Sequence, residues 1–385
     1  MDDVIFQVTQ KHLNTGLRGY PVGTCRTSSV DPYKGLHYVG YPIRELAFLD
    51  PEAVIYLLLN KSLPTAAQDK EFRAELAERS AKFPKGVFDI LRALPKEGHP
   101  MEWFMTGLIG LGMLGKTENF LEDGKNLIAW APQVVAAVYR LRSGWGEPIP
   151  PDPKLGYVEN FVHMLGVPGA DEAKLTKLLR VFDILHFDHG GGNLSTFTGK
   201  AIASGLADQF ASMAGAMAGL YGPRHGRANQ DCLNFVREVG NPDPTHIESY
   251  VRNLLANGGL VFGFGHAVLR VEDPRADIQY ELGKQLCPDN LEFKTALAMR
   301  DVIPRVLKEN EKISDPYPNV DAVSGSLLNA LGLTDSNFYT VLFGWSRCVG
   351  IAAQIIDERL NLRDGKGVAI YRCKYVPENQ PERHL

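Results

Sequence analysis

Three histidines in this 385-residue chain are framed by glycine. His189 stands in Phe187-Asp188-His189-Gly190-Gly191-Gly192-Asn193-Leu194-Ser195, His225 in Gly222-Pro223-Arg224-His225-Gly226, and His266 in Gly263-Phe264-Gly265-His266-Ala267-Val268. Glycine lets the backbone bend to aim a ring, or lets a ligand approach the chain closely. One carboxylate accompanies them in Pro318-Asn319-Val320-Asp321-Ala322-Val323-Ser324-Gly325, and Arg270 and Arg275 follow His266 closely. Two chemistries use such a set. Three histidines gather a metal for hydrolysis, although neither a His-x-x-x-His spacing nor an H-E-x-x-H pattern is present. Alternatively, neutral histidines and one carboxylate run proton abstraction beside a carbonyl, with arginine forks holding an anionic substrate. The second needs no cofactor motif, and neither G-x-x-x-x-G-K-[ST] nor a dinucleotide fingerprint occurs. Each residue also has a plain structural reading. A lone histidine is more often a satisfied structural residue than a catalytic one. Asp321 or Asn319 suits the cap of a helix carrying Leu327, Leu328 and Leu331, and either arginine suits a surface ion pair.

Helices must do most of the positioning. Asp50-Pro51-Glu52 reads as N-cap, first-turn proline and first-turn acid before the apolar stretch 53–59. Thr65 with Gln68, and Thr245 with Glu248, have capping-box spacing. The second box precedes Ile247, Val251, Leu254 and Leu255 at helical period, closed by Asn257-Gly258-Gly259. Strand patterns are few, the best being 35–41, so the expectation is a mostly helical protein with one small sheet. Segment 210–220, rich in alanine and glycine, lets helices approach closely and is expected in a core or a subunit interface. No internal repeat is present; 148–153 and 241–244, both proline-rich, are the candidate linkers.

Hydrophobic residues make up 44% and charged residues 22%, which excludes wholesale disorder. Length allows two or three domains at about 150 residues each. With 41 basic against 45 acidic residues and no local basic run, there is no electrostatic footprint for nucleic acid. Segment 210–220 is taken as the longest apolar run and is too short to span a membrane. The acidic start lacks both a signal h-region and a transit pattern. Five scattered cysteines, with no C-x-x-C, oppose a disulfide framework or a cysteine zinc site. A soluble, intracellular protein is expected.

In order and spacing, the segments at His189, 222–229, 263–275, 318–325 and 338–350 resemble the citrate synthase family, with weaker similarity from Leu17 onward. The motifs are closer to the short, mitochondrial-type branch. The resemblance implies an all-α fold with a large helical domain (1–226 and 333–385) that dimerises and a small one (227–332). The active site would lie in the cleft between them, with His225 at a hinge. It implies that acetyl-CoA condenses with oxaloacetate and that citryl-CoA is hydrolysed to citrate and CoA, without a cofactor, acetyl-CoA being a substrate. Carried over motif by motif, His225, His266 and Asp321 are the catalytic trio. His189, Asn193, Arg275 and Arg347 fall where oxaloacetate or citrate is bound, joined by Arg372 from the neighbouring subunit, with Arg363 as its competitor. Arg18, Val261, Gly263, Gly265, Arg270 and Lys312 fall at coenzyme A contacts.

In that scheme His225 stabilises the enolate oxygen as Asp321 takes the methyl proton, and His266 polarises the ketone. The resemblance further implies a homodimer or higher oligomer, no metal, no nucleic acid and no membrane. The location would be a bacterial cytoplasm, or the mitochondrial matrix for a processed eukaryotic chain. Four positions depart from the family pattern. Gly190 replaces an acid, which would loosen His189; Val39 replaces an arginine, Phe262 a proline, and Arg372-Cys373-Lys374 an Arg-Pro-Arg or Arg-Pro-Lys. The rivals are 2-methylcitrate synthase acting on propionyl-CoA, since one methylene is worth only ~1–3 kcal/mol in a pocket, and a catalytically silent scaffold homologue.

Overall fold

A computed structural model describes residues 4–311 and 313–376. The only sheet among the described residues is small and antiparallel, in the order β1 (Ser28–Asp31), β2 (Gly35–Tyr38), β3 (Tyr41–Pro42). Tyr38 pairs with Tyr41 around a two-residue turn in which Val39 and Gly40 have φ of 50° and 86°. A β-branched residue in the left-handed region is uncommon, and it is held there by Val39 N–H donating to the Thr27 carbonyl at 2.8 Å.

The rest is helical. The first group is α1 (Ile43–Leu46), α2 (Pro51–Asn60), α3 (Ala66–Ala81), α4 (Gly86–Arg92), α5 (Pro100–Gly115), α6 (Phe120–Ser143), α7 (Tyr157–Leu165), α8 (Glu172–His186), α9 (Leu194–Ser204) and α10 (Gln209–Tyr221). Then come α11 (Ala228–Val239), α12 (Pro244–Ala256), α13 (Pro274–Leu286), α14 (Leu291–Leu307), α15 (Asp321–Ala330) and α16 (Tyr339–Asn361). Helix α16 lies at the centre of the first group, packed on α6, α10, α2, α8 and α9. Helices α11, α12, α13, α14 and α15 pack chiefly on one another and meet the first group where α13 touches α1 and α8, α15 touches α8 and α11 touches α16.

Local chemistry accounts for the helix starts, with corrections. The Thr65–Gln68 box opens α3 as expected. The Thr245–Glu248 box does not form. Pro244 occupies the first turn, so the cap is Asp243, whose carboxylate accepts from His246 N–H at 2.9 Å. Asp50 is the N-cap of α2, yet its side chain makes no capping bond and is drawn to Arg73 and Arg180 instead. Helix α10 is core: Phe210, Met213, Ala216, Met217 and Leu220 are wholly buried against α5, α9 and α16. It is not the longest apolar stretch. Ser336–Asn361 is long and apolar enough to cross a membrane, but all of its apolar window is buried inside the protein, the mark of a core helix.

Candidate active site

The loop from α8 to α9 carries His189 and is held from three sides. Tyr38 of β2 donates its hydroxyl to the Ile184 carbonyl at 2.8 Å and accepts Asp188 N–H at 3.1 Å. Buried Asp188 accepts His189 N–H at 2.8 Å and the Thr27 hydroxyl at 2.6 Å. Gly350 of α16 donates N–H to the Phe187 carbonyl at 3.1 Å, and a Cβ at Gly350 would collide with that carbonyl. The glycine therefore lets α16, which carries Arg347, lie directly against the His189 loop. Asn193 caps α9, accepting Thr196 N–H at 3.1 Å, while its amide donates to the His189 and Gly190 carbonyls at 3.3 and 3.1 Å.

His266 and Asp321 sit on two segments tied together by backbone. Gly265 N–H donates to the Tyr317 carbonyl at 2.8 Å, and Asn319 N–H to the Gly263 carbonyl at 2.9 Å, around a bridge between Phe264 and Pro318. Gly263 and Gly265 have φ of 82° and 92°, and a Cβ on Gly263 would come within 2.9 Å of Ala322 Cα. Only glycine permits that approach. Asp321 is the first residue of α15 and the N-cap is Val320, so neither Asp321 nor Asn319 is the cap itself. Asn319 Oδ1, one residue before the cap, accepts Asp321 N–H at 3.0 Å, and the Asp321 carboxylate is not spent on the helix start.

Hydrogen bonds settle the tautomers. His225 Nε2 accepts Ser195 N–H at 3.2 Å, so Nδ1 carries its proton. His266 Nδ1 accepts Val268 and Leu269 N–H, both at 3.0 Å, so Nε2 carries its proton. Arg275 Nη2 donates to His189 Nε2 at 3.2 Å. Each neutral imidazole has one lone pair, and all three are spent on donors. Metal ligation is not what these rings are prepared for; donating N–H is. Burial pushes His225 down to about 4, helped by Arg347, and His266 down to about 4, helped by Arg275. His189 is held well below its ordinary value by burial and then by Arg275 and Arg347. Burial raises Asp321 to about 6 against the pull of Arg275.

Two guanidinium groups share this interior with the carboxylates of Asp188, Asp273 and Asp321. Arg275 is buried and forks onto Asp273, with Nη2–Oδ2 at 2.7 Å and Nε–Oδ1 at 3.0 Å. Arg347 is 2% exposed, lies 4.8 Å over the Phe343 ring, and has no hydrogen-bond partner at Nε or Nη1. Burial pushes it down to about 10, with Asp188 opposing.

The family model described as citrate synthase, C-terminal domain, matches residues 16–374. Curated relatives include citrate synthase 4, mitochondrial, of Arabidopsis thaliana, 37% identical over 96% of this chain and 82% of its own length. Citrate synthase, mitochondrial, of Daucus carota has the same identity and coverage. This chain belongs to the citrate synthase family. Solved structures agree. The citrate synthase of Thermotoga maritima matches with a TM-score of 0.81 at 29% identity, covering 96% of this chain and 97% of that one. The Thermoplasma acidophilum citrate synthase, solved with carboxymethyl coenzyme A and oxaloacetate, matches with 0.84 at 25% identity and the same coverage.

Of the residues that the citrate synthase resemblance implies, the fold gathers most into one region. The His189 and His266 rings lie 5.5 Å apart, the His225 ring lies 6.4 Å from Phe343, and Arg275 bridges to His189. Asn193 is there too, with its amide engaged within its own loop. Val261, Gly265, Phe264 and Leu260 line a cleft of about 390 Å³ that reaches His266. Arg270 is not among the residues that line it; its guanidinium donates to the Val268 and Leu269 carbonyls at 3.0 and 2.6 Å. Exposed Arg18, Arg363 and Arg372 do not join the site within one chain, and Lys312 lies outside the described residues. Gly190 has φ of 72°, where an acidic side chain would be strained, and its N–H donates to Ser28 Oγ at 2.7 Å. The loop is held here by hydrogen bonds to the side chains of Ser28, Asn193, Asp188 and Gln354.

Sequence reasoning missed Ser195, which orients His225, and Asp188 and Gln354 beneath the His189 loop. Ser195 and Asp188 stood within the quoted His189 segment; Gln354, deep in an apolar helix, offered no local signal.

Proposed function

We propose that this protein condenses acetyl-CoA with oxaloacetate and hydrolyses citryl-CoA to citrate and CoA. The observation that carries this is Arg347: a buried guanidinium with unpartnered Nε and Nη1 beside a second buried arginine. Such a group is costly to bury unless an anion completes it, and a dicarboxylate spans two such forks. Arg275, Arg347 and His189 hold the oxaloacetate carboxylates, and Asn193 fixes the loop between them. Asp321 removes a methyl proton from acetyl-CoA while His225 Nδ1–H donates to the thioester oxygen as it becomes an enolate. The carbon attacks the oxaloacetate ketone, whose oxygen accepts from His266 Nε2–H. Water then cleaves the thioester and releases the thiol.

The scheme requires no cofactor. The small domain is assigned to 227–332, with the helices before and after it forming the large one, so closure shields acetyl-CoA from water. Coenzyme A is placed along Val261, Gly263 and Gly265, with Arg270, Lys312 and Arg18 at its phosphates. Arg372, exposed in its own chain, completes a partner's site in a homodimer. The mitochondrial names of the curated relatives support the matrix as its location.

Thiol release from acetyl-CoA that depends on oxaloacetate is the test. Release from propionyl-CoA at equal or higher kcat/KM would reassign the chain to 2-methylcitrate formation, and none from either would leave a silent homologue.

A further inference from the structure

Four buried side chains connect α16 and α9 to the His189 loop. Glu358 Oε1 pairs with Lys200 Nζ at 2.7 Å, and Lys200 Nζ donates to Gln354 Oε1 at 3.1 Å. Gln354 Nε2 donates to Asp188 Oδ1 at 2.7 Å and to the Gly190 carbonyl at 3.2 Å. Asp188 Oδ1 in turn accepts His189 N–H at 2.8 Å. Lys200, Gln354, Asp188 and Glu358 are 4%, 2%, 0% and 6% exposed, so water does not compete for these bonds.

The Gln354 amide has one workable orientation. Reversed, its NH2 would face an ammonium and its oxygen a carboxylate. Tyr38, Thr27 and Gly350 grip the loop at Phe187 and Asp188, before His189; the glycines after it depend on other contacts. A Cβ built on Gly190 or Gly192 would meet no atom within 4 Å, whereas one on Gly191 would come within 2.7 Å of Lys200 Nζ and 3.3 Å of Gln354 Oε1, so the turn lies directly on this pair. Its shape rests on hydrogen bonds from Ser28, Asn193, Asp188 and Gln354, and Gln354 alone binds both Asp188 and Gly190, either side of His189.

We propose that Gln354, oriented by the Lys200–Glu358 pair, is the positioning residue that sets His189 against Arg275 and thereby governs oxaloacetate affinity. This deepens the proposed function and rests on it. Q354E directs a carboxylate at Asp188, and Q354M keeps the length but removes the amide.

Both are expected to raise the KM for oxaloacetate about tenfold, the scale of one charge-assisted hydrogen bond, with the KM for acetyl-CoA and kcat near wild type. A merely structural role would lower the unfolding midpoint and the active fraction while leaving both KM values of the folded protein unchanged. That result overturns the proposal, and Q354M decides it if Q354E does not fold. Calorimetric titration of the wild type with oxaloacetate separates the two readings. No binding by the wild type sinks the functional reading and this one together. Wild-type affinity kept in the variants removes Gln354 only.

Discussion

Asp321 imposes a cost on the ligand-free fold. Its pKa is raised from 3.8 to about 6 by burial, so the folded protein holds this proton more tightly than the unfolded chain does. The penalty is absent below pH 4, grows between pH 4 and 6, and is complete above about 6. A shift of that size corresponds to at most about 3 kcal/mol. Asp321→Asn is therefore expected to gain about 2 kcal/mol in denaturant unfolding at pH 7 and nothing at pH 4. The same variant should lose citrate formation while still binding oxaloacetate in a calorimetric titration. Near-normal turnover would remove Asp321 from the role of base. The pH profile follows from the same residues. His225 and His266 titrate near 4 and stay neutral donors down to about pH 5, whereas Asp321 becomes a base only above about 6. The expected kcat/KM for acetyl-CoA falls about tenfold per unit below pH 6 and is flat from 7 to 8. A limb that persists unchanged in variants of either histidine, and moves only with substitutions around Asp321, identifies the titrating group.

At the level of elements, the site depends on three close approaches: α16 against the His189 loop, the Gly263 turn against α15, and β2 against α8. Gly350→Ala tests the first. Its Cβ would press on the Phe187 carbonyl, so α16 and the loop must separate. The expected cost is about 1–3 kcal/mol of stability, and the KM for oxaloacetate should rise more than that for acetyl-CoA, because Arg347 and His189 ride on the two elements being separated. Equal effects on both substrates would mean that the contact serves stability alone. Helix starts were legible where one strong signal acted alone, as at Thr65. At α12, Pro244 placed the cap at Asp243 and overruled the Thr245–Glu248 spacing, because a proline without N–H belongs in the first turn. At α2, proximity to Arg73 and Arg180 diverted the Asp50 carboxylate from its capping bond, an outcome that depends on residues far along the chain.

At the scale of the whole molecule, Arg372 tests whether a site is complete in one chain. Arg372 is exposed in its own chain. If it serves a partner, Arg372→Ala should weaken oxaloacetate binding by about 1.5–3 kcal/mol, the worth of a hydrogen bond to a charged group. Mixing Arg372→Ala with Asp321→Asn subunits then places both lesions in one site of a heterodimer and neither in the other, so activity partly returns. Confirmed heterodimers that stay inactive would assign Arg372 to its own subunit, or to no site, and turn attention to Arg363. The sequence by itself determined the helical class, the single small sheet, the glycine-framed histidines and the carboxylate at Asp321, because periodicity, turn residues and motif order are local properties. Only the tertiary structure decided which nitrogen of each histidine bears the proton, that Asn319 rather than Asp321 serves the helix start, that Arg347 is buried with Nε and Nη1 unpartnered, and that Gln354 braces the His189 loop. Those depend on donors contributed by segments as far apart as Thr27, Asp188 and Gln354, and on burial that removes water from charges, neither of which has a period or spacing along the chain.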